Sequence, residues 1–124
     1  MFNVNETVTR YLACWNETDA ARRRHLIEAT WTEDGTYTDA HRKGDGYESI
    51  DAMIGAVQHT FSGYRLSLRS GIEAHNGVVR FSWSAGGSPD APLYIAGTDF
   101  ATLASDGRLV SVAGFIDASP APIQ

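Results

Sequence analysis

Apolar positions recur at helical spacing through the first half of the chain and switch to alternation in the second. Val4, Val8, Tyr11, Leu12 and Trp15 form one stripe, and Asn3 with Glu6 three residues later makes a capping box. That pattern predicts a helix running from Asn3 toward Trp15. Thr18 and Asp19 can cap a second helix that carries Arg22, Arg23 and Arg24 on a solvated face, followed by Leu26 and Ile27. The run Thr32-Glu33-Asp34-Gly35 is a turn signal, and Thr36-Tyr37-Thr38 beyond it has strand composition. Residues 41–46 read as an exposed loop. Ile50, Met53, Ile54, Val57 and Phe61 then mark a third amphipathic helix that stops near Ser62-Gly63.

Tyr64, Leu66 and Leu68 alternate with Arg65, Ser67 and Arg69, the signature of a half-buried strand. Asn76-Gly77 is a hairpin signal because both residues tolerate positive φ, and Val78 to Ala85 is the return strand. Residues 86–92 are rich in Gly, Ser and Pro and read as a longer loop. A strand from Leu93 to Leu103 follows, then a turn at Ser105-Asp106-Gly107 and a strand from Leu109 to about Ile116. The tail Ser119-Pro120-Ala121-Pro122 cannot pair inside a sheet. The order α-α-β-α-β-β-β-β predicts an α+β fold, with helices covering one face of a curved sheet. A sheet bent strongly enough and closed at one end by helices forms a cone whose mouth suits a small molecule.

The 124 residues suffice for one domain, spanning 1–124. A composition of 43% hydrophobic and 20% charged residues is that of a globular chain. Net charge −5 argues against nucleic acid or an anionic membrane as partner. No apolar run approaches the roughly 20 residues that span a bilayer. Glu6, Arg10, Glu17 and Asp19 interrupt any signal-peptide core, so a cytoplasmic protein is expected. Cys14 stands alone, which excludes an intrachain disulfide and a thiolate zinc cluster. His25, His41, His59 and His75 lack metal-ligand spacing, and no glycine-rich phosphate loop is present. Neither a metal nor a cofactor is expected.

Five segments together resemble one superfamily: Arg10-Tyr11, the run from Thr32 to Asp39, Gly46 opening a helix with Ile50, His75-Asn76-Gly77, and Asp106-Gly107-Arg108. It is the nuclear-transport-factor-2-like superfamily, and within it the ketosteroid isomerases and the SnoaL-like polyketide cyclases. The resemblance runs from about Val4 to Ile116. It implies a cone of three N-terminal helices on a curved, mainly antiparallel sheet. Members of the superfamily include isomerases, dehydratases, cyclases, epoxide hydrolases and proteins without catalysis, so the fold is better specified than the reaction.

The resemblance to the isomerases implies three site residues. Asp39 falls where that family has its general base, and Tyr11 where it has an oxyanion-binding tyrosine. Asp99, nine residues before Arg108, falls where it has a second oxyanion donor, an acid kept protonated by an apolar site. Ala40 and His41 stand where the isomerases usually carry proline, and Ile54 where many supply a second tyrosine. These departures imply related acid–base chemistry on another ligand rather than steroid isomerisation itself.

The chemistry of the set is coherent. Taking a proton from beside a carbonyl needs a base at carbon and donors at oxygen. On the strand parity of Asp99 lie Ile95, Gly97, Ala101 and Leu103, so a dry face would favour its neutral form. Each residue also has a plainer reading: Tyr11 as core, Asp39 as a turn cap, Asp99 as a partner of Arg80 or Arg108. Trp15, Trp31, His41, Ile54 and Val57 are expected to line the pocket, together with Phe81, Trp83, Ala101, Val112 and Ile116. Phe81 and Trp83 serve equally as pocket wall or as ordinary core. The expected partner is a small apolar carbonyl compound. Two alternatives stay open: a non-catalytic, ligand-binding dimer, and an epoxide hydrolase using an Asp-Arg-Asp relay with Arg80. Family likeness also implies a homodimer through the outer sheet face, carrying Tyr94, Ala96, Thr98 and Phe100.

Overall fold

A computed structural model describes residues 2–86 and 94–118 of the chain. Most of the loop expected at 86–92, the strand start at Leu93 and the tail at 119–122 lie outside the described residues. Three helices, α1 (Val4–Asn16), α2 (Ala20–Thr30) and α3 (Gly46–Thr60), pack on one curved mixed sheet. Its strands are β1 (Trp31–Thr38), β2 (Lys43–Asp45), β3 (Arg65–Leu68), β4 (Glu73–His75), β5 (Val78–Gly86), β6 (Tyr94–Leu103) and β7 (Leu109–Ala118). The order is β2-β1-β7-β6-β5-β3, with β4 also on β5. The β1–β7 pair is parallel and the other pairings are antiparallel.

The helix starts follow the capping chemistry. Asn3 Oδ1 accepts from the amides of Asn5 and Glu6, and Asp19 Oδ2 accepts from that of Arg22. The apolar stripe of α1 buries Val8, Tyr11, Leu12 and Trp15. Asn76 and Gly77 both take positive φ, and the hairpin pairs β4 with β5 as their sequence requires.

Four local expectations need correction. The run at 32–35 is not a turn before the first strand. β1 already begins at Trp31, and those residues bulge out between the pairs Trp31–Leu109 and Thr36–Ser111. The expected loop at 41–46 contains β2, an edge strand paired with β1 whose Gly44 packs against Ile50. The stretch after Tyr64 is two strands rather than one, interrupted at 69–72, and Leu68 on it is exposed.

The fourth correction concerns Arg23, which is not solvated. Its Nε donates to Asp51 Oδ1 at 2.6 Å and its Nη1 to Gln58 Oε1 at 2.9 Å. Gln58 Nε2 in turn donates to the carbonyls of Trp15 and Glu17. A buried guanidinium is tolerable only with such partners, and here they tie all three helices together. No helix among the described residues is long and apolar enough to cross a membrane.

Candidate active site

The concave face of the sheet collects its polar chemistry at one place, beneath α1. Inward-facing Asp99 on β6 is 1% exposed. Its Oδ2 accepts from the Tyr11 hydroxyl at 2.6 Å and its Oδ1 from the Trp83 indole at 3.0 Å. Among the described residues no cation pairs with it. Arg80 lies on the outer face, where it pairs with Glu73, and Arg108 pairs with Asp106. The Asp-Arg-Asp relay considered for Arg80 is therefore not assembled. β5 sets these directions: Phe81 stands opposite Asp99 and faces inward, so its neighbour Arg80 faces out.

Burial raises the Asp99 carboxyl from the usual 3.8 to about 6, against the opposing pull of its bonds from Tyr11 and Trp83. Burial, with the Asp99 charge next in weight, also pushes the Tyr11 hydroxyl well above its ordinary range. Tyr11 is thus a donor that stays protonated. Asp99 thus holds its proton to a higher pH than an ordinary carboxylate, the direction expected from its dry strand face.

Asp39 sits just past β1, with its carboxylate fully engaged. Oδ2 accepts from the Tyr37 hydroxyl at 2.7 Å and Arg42 Nη1 at 3.1 Å, and Oδ1 accepts from the amides of His41 and Arg42. This is the turn-capping geometry of an Asx turn reinforced by an ion pair. Gly114 on β7 separates the two carboxylates. A Cβ there would come within 2.8 Å of Asp99 Oδ1 and 3.0 Å of the Tyr37 hydroxyl. Burial raises the Tyr37 hydroxyl, helped by the charges of Asp99 and then Asp39.

The expected pocket residues divide by burial. Trp15, Trp31, Ile54, Phe81, Trp83, Ala101 and Val112 join the core around the site. Val57 and Ile116 are half-buried at its edge. His41 is exposed and contributes its backbone amide rather than a wall. A hollow of about 340 Å³ opens between β2 and α3, bounded by Arg42, Lys43, Met53, Ala56, Val57 and Thr60. Arg42 links that hollow to Asp39.

Sequence reasoning missed Tyr37, Arg42 and the donor role of Trp83. The alternation Tyr37-Thr38-Asp39 was a usable signal, because residues two apart share a strand face. Among the described residues no three His, Cys, Asp or Glu side chains group to hold a metal.

The chain matches the sequence profile of the SnoaL-like domain over residues 8–112. Its fold overlays that of a candidate isomerase of the SnoaL-like family from Agrobacterium tumefaciens with a TM-score of 0.85 and 40% identity, covering 91% of this chain and 96% of that one. A candidate SnoaL-like polyketide cyclase from Jannaschia sp. CCS1 overlays at TM-score 0.70 and 17% identity, over 91% and 86% of the two chains. An NTF2-like protein of unknown function from Exiguobacterium sp. 255-15 overlays at 0.72 and 21%, over 90% and 98%. At those lower identities the likeness is one of fold. No protein of curated function matches the chain in sequence.

Proposed function

Because the chain belongs to the SnoaL-like family, we propose that it is a cofactor-independent acid–base enzyme acting on a small apolar carbonyl compound. Isomerisation, cyclisation and dehydration are the reaction types this covers. One observation carries the reading: Asp99 is sealed in an apolar cone, without a counter-charge, and is gripped by two neutral donors. An ionised carboxylate without a cation is costly to bury, and packing alone gives no reason to keep one there.

In this reading Asp99, rather than Asp39, is the proton acceptor, since the Asp39 oxygens already hold four donors, one of them a guanidinium, whereas Asp99 holds two neutral ones. The C–H bond beside the carbonyl breaks, its proton forms an O–H bond on Asp99, and the electron pair moves to the carbonyl oxygen. Neutral Asp99 is a poorer acceptor than the carboxylate, so the Tyr11 hydroxyl can turn from it to the new oxyanion. Return of the proton at another carbon completes an isomerisation. Asp39 and Arg42 hold the chain at the mouth and fix Tyr37.

The test is hydrogen–deuterium exchange beside the carbonyl of cyclic ketones, 2-tetralone among them, followed by NMR in D₂O. Exchange above the buffer rate is expected. Binding without exchange favours the second reading, a ligand-binding module, which the four donors on Asp39 support.

We also propose a homodimer through the outer sheet face. Phe100 and Phe115 are 44% and 57% exposed there and pack edge to face on each other. They border a groove of about 420 Å³ whose rim carries the Arg69–Asp117 and Arg80–Glu73 pairs. Such a mixed apolar and charged patch suits an isologous contact. Light scattering at micromolar concentration is expected to give twice the monomer mass, and a monomer alone would refute the dimer.

A further inference from the structure

Five aromatic side chains with a polar hydrogen meet in the cone, and four of them are engaged. Tyr11 and Trp83 donate to Asp99, Trp31 donates to the Thr36 carbonyl at 3.2 Å, and Tyr37 donates to Asp39. The fifth, Trp15, is 7% exposed and exerts only a weak lowering pull on the Tyr11 hydroxyl beside it, and its buried Nε1 meets no acceptor in good hydrogen-bond geometry. Arg10 Nε shares that condition, but Arg10 is half-buried and a guanidinium has four further N–H donors. An indole has one.

A stranded buried donor is costly, and native structures pair such groups with protein, water or ligand. Phenylalanine would fill most of the same space without a donor, so packing does not account for an indole here. Nor is Trp15 loosely held. Its carbonyl accepts from Gln58 Nε2 at 3.0 Å, and its ring stands edge-on to Tyr11 and Tyr37, with centroids 6.3 Å and 5.3 Å away. The indole is thus held in place against Tyr11, the residue that donates to Asp99.

We propose that the Trp15 indole N–H is the substrate-binding donor of this site and that it receives the carbonyl oxygen of the ligand. The proposal rests on the acid–base reading above and deepens it, because it fixes which end of the substrate lies against α1. The carbonyl oxygen sits at Trp15, within reach of the Tyr11 hydroxyl once that hydroxyl leaves Asp99. The carbon losing its proton then faces Asp99. A hydrocarbon of the same shape leaves the N–H stranded and binds less well, so the wall selects for an oxygen acceptor as well as for apolar bulk.

The test uses two probes of matched shape, 2-acetylnaphthalene and 2-isopropenylnaphthalene, in which C=O is replaced by C=CH₂. The chain has three tryptophans, so its ¹H–¹⁵N spectrum holds three indole signals, and Trp15→Phe identifies one by its loss. Saturating ketone should move the Trp15 indole proton downfield, and the hydrocarbon should not. In W15F the preference for ketone over hydrocarbon should fall by about 3–10-fold, the worth of one neutral hydrogen bond. An unmoved Trp15 signal, an unchanged preference in W15F, or failure of the wild type to bind either probe overturns the proposal. Should W15F not fold, the wild-type shift, assigned through the backbone, decides alone. A ketone that shifts Trp15 yet shows no exchange in D₂O supports the binding role and overturns the catalytic one.

Discussion

Replacement of Asp99 by asparagine is expected to lower catalysed exchange by about 10²–10⁴-fold, the usual contribution of a positioned general base. The amide keeps the size of the carboxyl and one acceptor for Tyr11 or Trp83, so the fold should survive. It cannot take up the proton. Ligand binding to D99N should stay close to wild type, because the proposed oxygen contact lies at Trp15 rather than Asp99. Asp39→Asn is the control. It weakens the clasp with Arg42 and the two amides and should cost less activity than D99N. The reverse order would return the role of base to Asp39.

The same substitution changes how stability depends on pH. The carboxyl titrates at about 6 in the folded chain, against an ordinary 3.8. The folded state therefore binds more protons than the unfolded state between those values, and stability falls as pH rises through that window. D99N removes this component. The stability of the variant relative to wild type should therefore rise from about pH 4 to pH 6 and level off above. Denaturant melts at a series of pH values measure it.

Gly97→Ala should have the largest effect on stability among single small changes. Gly97 is paired with Trp83 across β5 and β6, and the Trp83 ring occupies the space above it. An added Cβ would lie 2.4 Å from Trp83 Cζ2 and 2.7 Å from the Phe115 carbonyl oxygen. The ring could move only by leaving Asp99, and the carbonyl belongs to the neighbouring strand. Overpacking of this kind costs about 3 kcal/mol, a drop of roughly 10 °C in melting temperature for a domain of this size. Trp83→Phe in the same chain should recover part of that loss by thinning the ring, while leaving Asp99 one donor short. A G97A protein that melts within about 2 °C of wild type would mean that the ring does not sit there.

These outcomes hang on features that were unequally visible in the sequence. The 3.6-residue stripe of α1 and the alternation of β6 turn Tyr11, Trp15 and Asp99 inward, and both patterns can be read without coordinates. What those patterns do not carry is register. Gly114 matters because β7 sets it opposite Asp99, and Trp83 reaches that carboxylate because Gly97 has no side chain. Nothing local to either glycine says so. β2 escaped detection because this three-residue edge strand buries only Gly44, which leaves no apolar alternation in the sequence. The bulge at 32–35 uses the same Asp and Gly residues that a turn would. Arg23 resembled its neighbours, and only Asp51 and Gln58, a helix away in sequence, distinguish it.

Titration of the Asp99 carboxyl carbon by ¹³C NMR, assigned by its absence in D99N, bears most directly on the buried base. A midpoint near 6, well above the ordinary carboxylate value of 3.8, is the expected result. A midpoint at the ordinary 3.8 would mean that water or a cation reaches this carboxylate, and would contradict its assignment as the buried base.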